Sequence, residues 1–132
     1  MIYSLSNRSI DRLSGVHPDL VKVVQRAIEI TTIDFVVLEG VRTPDRQKIL
    51  FDAGASQTLN SRHIKGPDGF AKAVDLGAWI EDEVRWDWPS YHHIAKAMKT
   101  AAAELKIQIV WGGDWVRFKD GPHFELDRRK YP

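Results

Sequence analysis

The chain contains no cysteine. Disulfide bonds, thiolate zinc knuckles and cysteine nucleophiles are therefore all excluded. Any metal site in this protein must be built from nitrogen and oxygen ligands, which means histidine and carboxylate side chains.

Long hydrophobic runs are also missing. No window approaches the roughly 18 apolar residues of a membrane span, and the opening stretch MIYSLSNRSIDRLSG lacks a charged region followed by an apolar one. We therefore expect no membrane insertion, no signal peptide, and synthesis in the cytoplasm.

Neither sign of charge is in excess, because 19 basic side chains stand against 18 acidic ones. A dedicated nucleic-acid-binding domain would carry a stronger basic footprint, so nucleic acid is disfavoured as a partner. The one basic cluster, Arg128, Arg129 and Lys130, is typical of a solvated tail.

The 132 residues suit one compact domain, which we place at residues 1–132. Apolar spacing predicts helices at 18–30 and 89–106, and capping signals predict another from Thr43 to Gly54. Short β-branched or aromatic runs predict strands at 33–41, 73–80, 107–111 and 123–126, whereas 81–90 reads as a polar connection. The fold class is α+β, with about three helices packed on a small, mostly antiparallel sheet.

The residues with metal-binding side chains fall in loops or at predicted strands. Three nitrogen or oxygen ligands and an open fourth position make a catalytic zinc site. Three of these residues could converge if their strands are neighbours: His63 in the long 55–72 loop, Asp75 and His123. Asp120 would then be a general base. The spacing alone leaves open that these residues are loop, turn and strand residues without a metal. The full set is His63, Asp75, Asp114, Asp120, His123 and Glu125.

Two motifs add to this pattern. SRHIKG followed by AVDL matches S-x-H-x-x-G-x-A-x-D, and DGPHFEL supplies an acidic residue, two spacers and a histidine. The chain resembles the zinc peptidase family of VanY-type D-alanyl-D-alanine carboxypeptidases and phage L-alanyl-D-glutamate endolysins, which has a hedgehog-like core. One departure is the stretch from Pro67 to Lys72, longer than the family's short form. Asp68 within it is an alternative carboxylate ligand.

The resemblance implies roles for individual residues. His63, Asp75 and His123 would bind Zn²⁺, and Asp120 would be the general base, with Glu125 as its competitor. Further roles would fall to side chains around them. Arg42 would stabilise an oxyanion or hold a substrate carboxylate, unless it only forms a surface salt bridge. Ser61 would hydrogen-bond a ligand or the substrate. Trp111 and Trp115 could line the site, although tryptophans more often lie in the core. His92 and His93, adjacent on a helix, point apart and are expected at the surface.

The expected function is hydrolysis of the peptide stem of bacterial peptidoglycan between L-alanine and D-glutamate, as a phage endolysin. Such an enzyme would accumulate as a monomer in the host cytoplasm and need a separate holin-type protein to reach the wall. Two alternatives stay open: D-alanyl-D-alanine carboxypeptidase activity on the same stem, and a non-catalytic, zinc-containing module that binds the cell wall.

Overall fold

The computed structural model describes residues 2–132, which form helices packed against one antiparallel sheet. The elements in chain order are α1 (Asn7–Arg12), α2 (Pro18–Ile30), β1 (Phe35–Glu39), α3 (Pro44–Asp52), β2 (Ala73–Ile80), β3 (Glu83–Arg85), α4 (Trp88–Leu105), β4 (Ile109–Trp111), a 3₁₀ turn (Gly112–Asp114) and β5 (His123–Leu126).

The helix boundaries follow from capping chemistry. Helix α2 begins with Pro18 in its first turn, and the side chain of His17 accepts a hydrogen bond from the Asp19 amide. Asp87 caps α4 by accepting from the Ser90 amide, and Lys106 ends it in the left-handed conformation. The predicted helix at 18–30 is confirmed, and the long helix starts one residue earlier than predicted.

The sheet places the two central strands side by side although they are far apart in sequence. The strand order is β1-β2-β5-β4, and β3 pairs with the far half of β2. All of these pairings are antiparallel. The predicted α+β class with a small antiparallel sheet is confirmed.

The two faces of the sheet differ in character because side chains alternate along each strand. One face, with Val74, Leu76, Phe124 and Leu126, packs against α2 and α4 in the hydrophobic core. The intervening positions carry polar groups, among them Asp75, on the opposite face. The core face therefore fixes the register of the strands that carry the candidate site.

Strand β1 contains an irregularity next to this polar face. Val37 pairs with Leu76, but the next pair is Glu39 with Asp75, so two residues of β1 oppose one of β2. Simple alternation would place Glu39 on the same face as Val37, towards the core. The extra residue, Leu38, places Glu39 opposite Asp75 instead.

Two short elements were not expected from the sequence. Helix α1 spans six residues and is capped by Ser6, whose hydroxyl accepts from the Ser9 amide. Strand β3 lies within the stretch predicted to be a polar connection. Both are too short to give a periodic signal, so only the tertiary pairing reveals them.

Within residues 2–132, no helix combines the length and the apolar character needed to cross a membrane.

Gly40 provides a test of how tightly α1 packs on the end of β1. A Cβ atom at Gly40 would overlap the backbone carbonyl oxygen of Arg12, and it would lie 3.0 Å from Cγ2 of Val16. We expect Gly40→Ala to lower the free energy of unfolding by about 1–3 kcal/mol, because backbone atoms must move to admit the methyl group. Urea denaturation measures the change; an unaltered midpoint would contradict the packing described here.

Candidate metal centre and active site

Asp75 and His123 meet directly across the sheet. They are paired residues of β2 and β5, and Nδ1 of His123 lies 3.3 Å from Oδ1 of Asp75. Their proximity is fixed by strand register, so residues 48 positions apart in sequence meet without help from a flexible loop.

His63 reaches the same carboxylate from the loop before β2. Its Nε2 lies 3.2 Å from Oδ1 of Asp75, and the His63 and His123 rings are 5.3 Å apart. Two further bonds hold the loop: Nδ1 of His63 lies 2.8 Å from the carbonyl oxygen of Gly40, and the Arg42 amide donates to the His63 carbonyl at 2.8 Å. His63 is almost fully buried, so the loop delivers it in one position.

The hydrogen-bond partners determine which ring nitrogens face the centre. The Gly40 carbonyl can only accept, so Nδ1 of His63 carries the hydrogen and Nε2 is left facing Asp75. On His123, Nε2 lies 2.9 Å from Oε1 of Glu125, which leaves Nδ1 facing Asp75. The outer partners thus orient both rings with one nitrogen directed inward.

This cluster has the chemistry of a metal site. One ligand atom from each of His63, Asp75 and His123 lies within 4.8 Å of the others. With neutral rings, two nitrogen lone pairs and a carboxylate converge with no hydrogen between them, which favours a cation in the middle. Two imidazoles and one carboxylate form a donor set that suits Zn²⁺.

Without a metal, a proton on His123 balances the negative charge of Asp75 and Glu125. Burial by itself lowers the pKa of His123, but hydrogen bonds to Asp75 and Glu125 outweigh it and raise the pKa to about 9. Burial by itself raises the pKa of Asp75, but its contacts with His123 and then His63 hold it well below the usual range. A metal would have to displace this proton.

Glu125 is fully engaged behind His123. It is buried; its Oε2 accepts from Nε of Arg128 at 3.2 Å and lies 3.6 Å from Nε of Arg62. Burial raises the pKa of Glu125, but the His123 and Arg128 contacts outweigh it and lower the pKa. Glu125 therefore orients His123 rather than standing free as a base. Arg128 is exposed, as predicted for a solvated tail, and it also contacts the site through Glu125.

Asp120 lies on the turn that leads into β5. Its amide donates to the Gly112 carbonyl at 3.0 Å, and its carbonyl accepts from the His123 amide at 3.2 Å. Burial, and then the charge of Asp75, raise the pKa of its carboxyl. Within residues 2–132 no hydrogen bond to this carboxylate is formed, so Asp120 is the acid in the pocket that is free to exchange a proton.

The guanidinium of Arg42 is held in a fixed plane. Nε and Nη2 each donate to the Glu39 carboxylate at 2.8 Å, and Nη1 donates to Oε1 of Gln47 at 2.8 Å. Nη2 also lies 3.6 Å from Oδ2 of Asp75. Glu39 and the fully buried Gln47 were not foreseen. Gln47 also donates to Ser56 and Thr58, which ties the long loop to α3.

The two tryptophans occupy different positions. Trp115 lines the pocket, with its ring 5.1 Å from that of His123. Trp111 is not among the pocket residues: it is buried, stacks on Phe124, and donates from Nε1 to the Gly121 carbonyl at 2.7 Å. Trp111 therefore supports the turn that carries Asp120 from behind.

The remaining candidates separate clearly. Ser61 lines the pocket, and its hydroxyl accepts from the His63 amide at 3.1 Å. Asp114 is exposed and paired with Lys99 at 2.7 Å. Asp68, the alternative carboxylate, lies outside the cluster of His63, Asp75 and His123 and accepts from Lys72 at 2.8 Å. His92 and His93 are exposed on α4, as expected.

The long insertion does not separate His63 from Asp75 because it closes on itself. The Gly66 amide donates to the Phe70 carbonyl at 3.0 Å, and the Gly69 amide donates to the Gly66 carbonyl at 2.9 Å. Gly69 adopts a positive φ of 86° at the tip. The turn thus projects outward, and His63 and Asp75 meet although they are twelve residues apart.

Comparison with known proteins agrees with this geometry. The model of the phage L-alanyl-D-glutamate peptidase family matches residues 1–130, nearly the whole chain. The chain belongs to this family. The family resemblance proposed from the two motifs is confirmed.

Individual members are similar over their full length. The L-alanyl-D-glutamate peptidase of Escherichia phage T5 is 30% identical over 135 residues, covering 99% of this chain and 94% of the phage protein. The crystal structure of the L-Ala D-Glu endopeptidase ChiX of Serratia marcescens superimposes with a TM-score of 0.90 at 44% identity, covering 99% of this chain and 95% of ChiX.

A more distant structure shares the fold alone. The vancomycin-resistance D,D-dipeptidase VanXYg, solved with a D-Ala-D-Ala phosphinate analogue, has a TM-score of 0.52 at 20% identity and covers 84% of this chain and 50% of its own. The predicted relation to the D,D-peptidase fold is therefore confirmed.

Metal binding by this family member should release a proton. His123 has a pKa of about 9 in the metal-free protein, so near neutral pH it carries a proton that a metal must displace. Below that pKa we expect the apparent zinc affinity to fall about tenfold per pH unit, with about one proton released per zinc at pH 7.5. Titration calorimetry in buffers of different ionisation enthalpy measures this number.

His93→Gln is the matched control, because it removes an exposed histidine whose ring is hydrogen-bonded to Thr32, away from the pocket. The control should release as many protons as the wild type. A zinc affinity that stays constant from pH 7 to 9 would contradict the assignment of His123 as a ligand.

Proposed function

We propose that this protein is a zinc-dependent endopeptidase that hydrolyses the L-alanyl-D-glutamate bond in the peptide stem of bacterial peptidoglycan. The observation that carries the proposal is the convergence of His63, Asp75 and His123 in one pocket with a free, proton-accepting Asp120. Membership of the family, and the names of the phage T5 and Serratia proteins, supply the bond.

The proposed ligands are Nε2 of His63, Oδ1 of Asp75 and Nδ1 of His123. A zinc ion held by these three atoms would supply Lewis-acid chemistry and keep one position open towards the pocket. The pocket has a volume of about 670 Å³, which admits several residues of a peptide.

The proton movements fall to Asp120. Its raised pKa brings the carboxylate closer to the range in which it can both accept and return a proton. It takes a proton from the attacking water as the carbon–oxygen bond forms, and passes it to the D-glutamate nitrogen as the carbon–nitrogen bond breaks. The nitrogen then leaves as a neutral amine rather than as an amide anion.

Arg42 assists from the pocket wall. The pair with Glu39 and the bond to Gln47 fix its guanidinium before substrate arrives. A donor that is already oriented can stabilise a developing oxyanion without further reorganisation. Its 3.6 Å contact with Oδ2 of Asp75 also steadies the carboxylate between the two histidines.

The biological role that fits this activity is lysis of a bacterial host by a phage. We propose that residues 1–132 form one catalytic domain, that the protein acts as a monomer, and that it reaches the wall from the host cytoplasm after a holin-type protein permeabilises the membrane. Family membership supports this role.

D-Alanyl-D-alanine carboxypeptidase activity on the same stem is the alternative within the class, since both reactions hydrolyse an amide with the same groups. The 44% identity with an L-Ala D-Glu endopeptidase favours the endopeptidase. A non-catalytic wall-binding module is less consistent with Asp120, because a structural site fills its four positions and needs no neighbouring base.

Digestion of purified Gram-negative peptidoglycan tests the bond and the base together. We expect the zinc-loaded wild type to create new D-glutamate N-termini, identified by mass spectrometry of the released fragments. Asp120→Asn should retain zinc and fold but lose about 10²–10⁴-fold in rate, because general acid–base transfer is removed. Release of D-alanine alone would favour the carboxypeptidase.

The matched control is Asp114→Asn, which removes an exposed carboxylate paired with Lys99 outside the pocket. Its rate should equal that of the wild type. Full zinc occupancy without any digestion by wild type would contradict the proposal and favour the binding module.

A further inference from the structure

A second cavity adjoins the catalytic pocket. It has a volume of about 420 Å³ and shares Asn60, Ser61, Arg62 and Arg128 with the catalytic pocket, so the two form one continuous groove. Its far end is bounded by Gly66 and neighbouring residues of the insertion, which thereby contributes a wall beside the active site.

The lining of this second cavity is strongly basic. Arg62, Lys65, Lys72 and Arg128 line it, and no aspartate or glutamate does. Two carboxylates just outside the cavity compensate part of this charge. Lys72 donates to Asp68 at 2.8 Å and Arg128 donates to Glu125 at 3.2 Å. Of the four cations that line the cavity, Lys72 and Arg128 are thus hydrogen-bonded to carboxylates.

Two of the cations have bonding capacity to spare. Arg62 is held in place by Nη2, which donates to the carbonyls of Leu126 and Tyr131 at 3.2 and 2.6 Å. Its Nε is buried without a hydrogen bond and lies 3.6 Å from Oε2 of Glu125. Lys65 is exposed and forms no ion pair within residues 2–132. An anion entering the cavity would therefore meet the unpaired ammonium of Lys65 beside a guanidinium, that of Arg62, which is already held in place.

The proposed substrate carries anions on one side of the scissile bond only. On the acyl side, L-alanine is joined through an amide to the neutral lactyl group of the glycan. On the amine side, D-glutamate is linked through its γ-carboxyl, so its α-carboxylate is free, and the residues that follow end in further carboxylates.

Resting on the function proposed above, we infer that this cavity is a carboxylate-binding subsite for the amine side of the stem peptide. The stem then runs from the metal-binding cluster past Ser61 towards Arg62 and Lys65. The glycan-linked alanine is left with the opposite end, by the loop from Trp115 to Lys119, which also lines the catalytic pocket and carries Arg117 and Lys119. The subsite sets a preference for a substrate with a free carboxylate.

Three synthetic peptides test this subsite: N-acetyl-L-Ala-γ-D-Glu-L-Lys-D-Ala, its α-amide at D-glutamate, and its C-terminal amide. We expect one of the two amides to reduce kcat/KM about tenfold, because a charge-assisted contact is lost. The amide that does so identifies which carboxylate occupies the cavity.

Lys65→Gln should raise KM for the free-carboxylate peptide about threefold to tenfold while leaving kcat unchanged. It should also reduce the difference in kcat/KM between the free-carboxylate peptide and the discriminating amide. Lys96→Gln is the matched control: it removes the same charge from an exposed position on α4 that lines neither cavity. The control should keep the wild-type preference.

Binding separates this inference from the peptidase proposal. Calorimetry with the Asp120→Asn protein should give tighter binding of the free-carboxylate peptide than of the discriminating amide, and Lys65→Gln in that background should remove the difference. Equal kcat/KM for all three peptides, with Lys65→Gln behaving like Lys96→Gln, would overturn the subsite while leaving the peptidase intact. If no peptide is cleaved, the peptidase proposal fails and the binding comparison alone decides the subsite.

Discussion

The site depends on a single carboxylate oxygen. Oδ1 of Asp75 lies 3.2 Å from a nitrogen of His63 and 3.3 Å from a nitrogen of His123. Both rings face it because each has its other nitrogen occupied, one by the Gly40 carbonyl and one by Glu125. Such outer partners select one tautomer and one ring orientation before any metal arrives. The register of the sheet holds Asp75 and His123 together, and packing of the apolar face fixes that register.

Much of this arrangement was predictable from sequence. The helix at 18–30 and the strands at 73–80 and 123–126 have clear periodicity and caps, and the structure has them with the same bounds. His63, Asp75 and His123 were singled out because motif spacing places them at strand ends and in one loop, and the structure brings them together. Family membership and the antiparallel α+β fold followed from the same motifs.

The parts that were missed depend on long-range contacts that leave no periodic signal. Glu39 reaches the polar face only because an extra residue in β1 reverses the alternation. Gln47 looks like an ordinary helix residue, yet it is buried between Arg42 and the long loop. Trp111 seemed a candidate pocket residue, but its indole donates to Gly121 behind the turn. Arg128 is solvated as predicted, but its contact with the buried Glu125 was not foreseen.

The turn from Gly66 to Phe70 has a consequence for how such an enzyme can diversify. Its base is closed by the bond between the Gly66 amide and the Phe70 carbonyl, so changes in its length or composition stop at that bond. The reaction centre and the surface that surrounds it are therefore separable parts of the molecule. Residues of this turn can therefore change the wall of the second cavity while His63 and Asp75 keep their positions.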